Sequence, residues 1–202
     1  MVSYVLIAIT VLISWMAWQN QSLLEKGIFS PIKVSEQGQY YRFLSSGFLH
    51  ADFTHLLFNM IALYFFGDFV EQIFQYVFGA LGSLYFIALY LSGIIVSEIP
   101  SYLKHKNSSH YRSLGASGGV AAVIFVSILY QPTGTIFIYF IPMPSFVFGI
   151  LYLVFSARMS SGQQRINHQA HLTGSIYGIL FALITNPDVV SIFINQLKEF
   201  SF

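Results

Sequence analysis

The chain has 202 residues, 55% hydrophobic and only 8% charged, with a net charge of +1. Soluble domains carry about 25% charged residues, so these proportions exclude one and describe an integral membrane protein. The small net charge, without any basic run, excludes a nucleic-acid partner, and the absence of cysteine excludes disulfides, thiolate catalysis and zinc–thiolate sites.

A membrane-crossing helix needs about 20 apolar residues. Six segments are predicted to supply one, at approximately 2–18, 53–73, 77–98, 116–131, 134–156 and 168–186. The fold class expected is therefore an all-α bundle of six transmembrane helices in a single domain, 1–202. The first segment lacks a basic leader and a small-x-small cleavage site, so it reads as a retained span, with Trp15 and Trp18 as interfacial anchors. Residues 19–50 form a long loop that mixes Glu25, Lys26, Lys33, Glu36 and Arg42 with Phe29, Ile32, Tyr40, Tyr41 and Phe43, a composition suited to the membrane interface. Gln131-Pro132-Thr133-Gly134 separates the fourth span from the fifth, and Asn186-Pro187 ends the last. The fourth span is short, as for a helix that begins beneath the membrane surface.

Polar residues inside a membrane are expensive, and here they fall in three places. Ser117 sits in Leu114-Gly115-Ala116-Ser117-Gly118-Gly119, His55 and Asn59 open the second span, and His168 and His171 open the sixth. Spans two, four and six start from the same face of an alternating bundle. His55 follows Asp52 by three residues, Ser117 follows Arg112 by five and His171 follows Arg165 by six. At 1.5 Å per residue all three lie about 5–10 Å beneath their last charged neighbour. His55 and Asn59 share a helix face at i,i+4. Gly174 and Gly178, on the side of His171, make a small-xxx-small stripe that permits close approach of another membrane helix.

These residue types suffice for acyl transfer. Ser117 is the candidate nucleophile and His171 the candidate general base. The Ser117 N–H at a helix N-terminus, the Asn59 amide and the His55 ring are candidate donors to an oxyanion. No acidic third member is evident: Asp188 lies roughly 25 Å along the helix from His171, and Asp68 and Glu71 are at the far end of span two. A dyad is favoured, with Asp52 left open. Each signal alone has a plainer explanation. A glycine-flanked serine can be packing, and His55 with Asn59 can be a hydrogen-bonded pair. His50, His55, His168 and His171 could hold a metal, although no H-E-x-x-H or acidic cluster supports it.

At these positions the chain resembles the rhomboid intramembrane serine proteases, in their bacterial-type, six-span form. Tyr41-Arg42, His50 and His55-Leu56-Leu57-Phe58-Asn59-Met60 resemble the family's loop-one and second-helix signature. Leu114 to Gly119 resembles its G-x-S-G nucleophile motif, and Ile141-Pro142-Met143-Pro144 with Phe148-Gly149-Ile150-Leu151-Tyr152 its fifth helix. His168 to Gly178 matches its H-x-x-G-x-x-x-G sixth helix. The resemblance covers most of a core at 41–186. It implies Ser117 as nucleophile, His171 as base, His55 and Asn59 as oxyanion stabilisers and Gly115 as a glycine bordering the site. It further implies a lateral loop-one hairpin, a gate at the fifth helix or its neighbouring loop, no metal or cofactor, and single-span membrane proteins as substrates in a bacterial inner (cytoplasmic) membrane. Two departures stand out. Tyr41 replaces a frequent tryptophan, and Ala121 stands where many members carry an aromatic ring that packs on the catalytic histidine. The ring's support must come from elsewhere, or the dyad is looser.

Two other functions fit a chain of this kind: a non-catalytic rhomboid-like binder of membrane proteins, against which Ser117 and His171 speak, and a six-span transporter, against which the lack of an internal repeat speaks. Neither substrate nor oligomeric state is written in the sequence. Orientation is contested within it. The resemblance implies a site opening outward, yet of nine Lys and Arg all but Lys198 then lie outside, the reverse of the positive-inside rule. With the family orientation, an impermeant thiol reagent is expected to label Ser108→Cys from the outer side; labelling from the inner side alone reverses it.

Overall fold

The computed structural model describes residues 1–138, 140–160 and 167–200. Arg165, one of the three depth markers, and most of the polar loop before His168 lie outside them. Helix α1 spans Val2–Gln19. The loop that follows is largely helical, with α2 at Gln21–Gly27, α3 at Pro31–Gln37 and α4 at Arg42–Ser45. Helix α5, Phe53–Ala62, passes through a π-helical turn at Leu63–Gly67 into α6, Asp68–Phe78. After a 3-10 turn at Gly79–Leu81 comes α7, Gly82–His105, then α8, Ser117–Tyr130. An antiparallel hairpin, β1 at Thr135–Ile138 and β2 at Ile141–Pro144, leads to α9, Ser145–Met159. Helices α10, His168–Thr185, and α11, Val189–Glu199, complete the described chain.

The expected six transmembrane helices are not what the structure contains. By length and composition, two helical runs can cross a membrane: Val2–Gln19 and the 53-residue Phe53–His105. A third is reached if α10 and α11, bent by 109°, count as one span. The family's six-span form is corrected with it. The reasons are local. Helix α8 has 14 residues and α9 has 15, about 21 and 22 Å at 1.5 Å per residue, short of a hydrocarbon core of about 30 Å. Thr135-Ile136-Phe137-Ile138 is a β-branched and aromatic run, and Pro142 and Pro144 deny a helix its N–H groups, so 135–138 and 141–144 pair as strands and α9 begins only at Ser145. The expected second and third spans fall within the one run Phe53–His105, which folds back at Gly79 (φ 58°). Phe74 and Tyr85, which a straight helix would set about 16 Å apart, have ring centroids 6.5 Å apart.

Helix α8 is the centre of the bundle. Twelve of its residues, among them Val120, Val123 and Phe125, are buried, the all-round apolarity of a helix enclosed on every side. It packs against α7 on one flank and α10 on another through glycine. A Cβ on Gly93 of α7 would lie 3.1 Å from Gly119 Cα. One on Gly174 would fall on the Gly118 carbonyl oxygen, and one on Gly178 on that of Ala122. The predicted stripe on α10 thus touches backbone. The start of α1 is held by α6: Val2 and Ser3 donate their N–H groups to the Glu71 carboxylate at 2.8 and 2.9 Å, an anion satisfying the free donors of a helix N-terminus.

Candidate active site

Ser117 is the first residue of α8, capped by Ala116 without any side-chain acceptor. The N–H groups of the first helical turn therefore have no intrahelical partner. Among the described residues the Ser117 and His171 side chains hydrogen-bond to no other group, and no bond joins the two. They are brought to one end of the bundle by the glycine contact, since Gly118 adjoins Ser117 and Gly174 stands one turn along α10 from His171.

The segment before Ser117 is tied down residue by residue. Gly115 N donates to Ser46 O at 3.0 Å, and Ser113 and Phe29 exchange backbone bonds at 3.0 and 3.2 Å. Arg112 pairs with Glu25 at 2.6 Å on the surface. Ser113 Oγ donates to Glu98 Oε1 at 2.9 Å, while Glu98 Oε2 is buried and unpartnered. The loop that supplies Phe29 is itself organised by buried Arg42, which donates to the carbonyls of Glu25 and Ile28 at 3.0 and 2.6 Å. Gly115 has φ 125°, and an added Cβ would lie 2.7 Å from His55 Cε1. A side chain there is doubly refused, by the backbone and by the ring. The predicted bordering glycine is what allows His55 to lie against the serine loop.

Asn59 is buried on α5, and its Nδ2 donates to His55 O at 2.9 Å. An amide carries two donor hydrogens, so one remains for another acceptor. Asp52, the acidic residue left open above, instead caps α5, accepting from His55 N at 2.8 Å.

Three residues matter that the motif reading did not assign. Tyr152 of α9 stacks on His171, centroids 6.1 Å apart and planes 19° from parallel. It provides the ring that Ala121 cannot. His168 meets His171 edge-on at 5.7 Å. His50 meets His55 edge-on at 4.9 Å and is fully buried. Its Nε2 accepts from Ala116 N at 3.3 Å, so Nδ1 carries the proton and donates to Ser14 Oγ at 3.0 Å, while Ser14 donates onward to Phe48 O at 2.9 Å. Only the neutral ring fits this chain of bonds. His168 shares the face of His171 at i,i+3, whereas the spacing of an aromatic on another helix, or of a loop histidine, carries no periodic signal that could have identified Tyr152 or His50.

Burial, and then the nearby His55, bring His50 from its ordinary 6.5 down to about 3. A depressed histidine contributes stability that is complete above about pH 6.5 and is lost as pH falls toward 3. The loss reaches ~5 kcal/mol at the lower end. Thermal unfolding of the wild type is therefore expected to fall more steeply between pH 6.5 and 4 than that of His50→Gln; parallel pH profiles would refute the assignment.

The domain model of the rhomboid family ("Rhomboid domain") matches residues 37–187. The chain is 27% identical over 182 residues to RHOMBOID-like protein 12, mitochondrial, of Arabidopsis thaliana, covering 82% of this chain and 52% of that protein. It is 32% identical over 143 residues to presenilin-associated rhomboid-like protein, mitochondrial, of Homo sapiens, covering 68% and 36%. With the putative rhomboid protease YdcA of Bacillus subtilis (strain 168) the identity is 29% over 150 residues, covering 73% and 68%. The chain thus spans about half the length of the plant relative and about a third of the human one. A multi-pass membrane protein with a match over most of its length, it belongs to the rhomboid family.

Proposed function

We propose that the chain is an intramembrane serine endopeptidase that cuts transmembrane segments of single-span membrane proteins. Ser117 Oγ attacks the scissile carbonyl carbon while His171 takes its proton. The tetrahedral oxyanion is held by the Ser117 N–H and by the Asn59 amide and His55 ring on α5. His171 then returns the proton to the leaving amine as the C–N bond breaks, and water hydrolyses the acyl-enzyme by the same route. The developing negative charge lies at the N-terminus of α8, where the helix dipole favours it. No step asks for a metal or cofactor.

The observation that carries this reading is the backbone contact of Gly118 with Gly174, beside an unpartnered serine and a histidine braced by Tyr152. Family membership supports it, as does the similarity to the putative rhomboid protease of Bacillus subtilis, and the membrane we propose for it is a bacterial cytoplasmic one. The test is cleavage of a labelled single-span substrate in reconstituted vesicles. Wild type is expected to cut it and Ser117→Ala to leave it whole; undiminished cleavage by Ser117→Ala overturns the assigned nucleophile.

A further inference from the structure

Ser117 and His171 reach the site on different helices, which meet beside them at Gly174 and Gly178, glycine against backbone. Such a contact resists separation but by itself opposes axial slip only weakly. A proton transfer between an oxygen and a ring nitrogen requires hydrogen-bond reach, about 2.6–3.2 Å. A slip of one ångström along α10 is enough to spoil it. Hydrogen bonds of Asn186 to Tyr130 OH at 2.9 Å and of Tyr177 to Ser92 at 2.6 Å tie α10 farther down; beside the serine loop a separate contact sets its height.

A polar cluster does so at the mouth of the bundle. Asn167 caps α10, its Oδ1 accepting from Ala170 N at 3.1 Å. Its backbone carbonyl accepts from the amide of His171 itself at 3.2 Å. The Nδ2 of the same side chain donates to Tyr111 OH and to Ser101 Oγ, both at 3.2 Å. Tyr111 OH donates to Ser101 Oγ at 3.1 Å, closing a triangle. Tyr111 belongs to the segment leading to Ser117, and its ring lies flat on His105 at the end of α7, centroids 4.0 Å apart. The other polar ties of that segment run to loop one, to His50 or to α7. Among the described residues, the Asn167–Tyr111 bond alone links it to the helix of His171.

We infer that Asn167 and Tyr111 are positioning residues, a clamp that fixes the axial height of His171 relative to Ser117. The inference rests on the proteolytic reading for its consequence, but not for its geometry. Tyr111→Phe keeps the ring on His105 and leaves the cap of α10 untouched, removing only the hydroxyl. Asn167→Ser keeps a capping oxygen on a side chain too short to reach Tyr111. Asn167→Asp keeps both cap and reach, since the two hydroxyls can donate to it.

Two measurements on the reconstituted full chain test the clamp. In the first, amide hydrogen exchange across 168–171 is expected to speed up in Tyr111→Phe, although that substitution lies on another element. Unchanged exchange would show that Asn167 is only a cap, and would overturn the inference whether or not the protein cleaves anything. In the second, kcat is expected to fall about tenfold in Tyr111→Phe and in Asn167→Ser, with KM and melting temperature near wild type. The double variant should be no worse than either single one, as for residues acting as a unit. Asn167→Asp should keep most of the activity. Wild-type kcat in both single variants, or losses that multiply and follow the melting temperature, would overturn the positioning role. A wild type that cleaves nothing while the exchange still responds would sink the proteolytic reading and leave the coupling of loop and helix standing.

Discussion

His171→Ala is expected to lower kcat for a transmembrane substrate by at least about 10³-fold with KM little changed. Adding Ser117→Ala should cost little more. A serine hydroxyl at its ordinary acidity is a poor nucleophile, and the dipole of α8 stabilises an oxyanion without removing a proton. Only a base within reach can do that, and among the described residues no carboxylate hydrogen-bonds to Ser117: Asp52 caps α5 and Glu98 accepts from Ser113. Removing either member of a dyad disables the other, so the free-energy losses do not add. Steady-state cleavage by the two single variants and the double variant is the measurement. Independent, multiplying losses would mean that the two side chains do not form one catalytic unit.

The largest effect on stability is expected at Gly174. A β-carbon there falls on the carbonyl oxygen of Gly118, a backbone atom that cannot rotate away. Gly174→Val must push α10 off α8, and overpacking of this kind costs about 3 kcal/mol or more. The gain in helix propensity on replacing glycine, below about 1 kcal/mol, does not offset it. Gly178→Val does the same damage one turn along, at Ala122 O. Once the helices have parted, the second substitution adds little, so the double variant should lose less than the sum. Thermal unfolding in detergent checks both; a melting temperature within a degree of wild type for Gly174→Val would show that the helices do not meet there.

Much of the packing around the candidate site was legible because its signals are local. The glycine pairs around Ser117 and after His171 are spaced for close helix contact, and Gly115 stands beside the serine. The fold was less legible where hydropathy over a long window was the guide. Such a window adds apolar residues without asking what the backbone can do. It read Thr135-Ile136-Phe137-Ile138 as the start of a helix, though a short apolar run serves a strand as well, and Pro142 and Pro144 count against the helix. It counted apolar residues in α8 that the structure spends on burial rather than on length, and it extended α9 back through the hairpin. The short helices α2, α3 and α4 offer too few turns for periodicity to register. Tyr152 could not be matched to His171 because pairing across helices depends on rotation about each axis, which composition does not encode.

The small hairpin at the foot of α8 carries a last consequence. Strands β1 and β2 have open edges, and Phe137 and Ile141 on them are largely exposed. Hydrocarbon tolerates no unpaired backbone facing it, so the hairpin must lie where water can reach it, and it marks one boundary of the apolar slab. From Tyr130 the 14 residues of α8 can climb at most about 21 Å, even if the helix stands upright. The opposite boundary is about 30 Å away. On the proteolytic reading Ser117 then lies about nine ångströms or more beneath that boundary, and a peptide bond arriving there meets less water competing for its carbonyl.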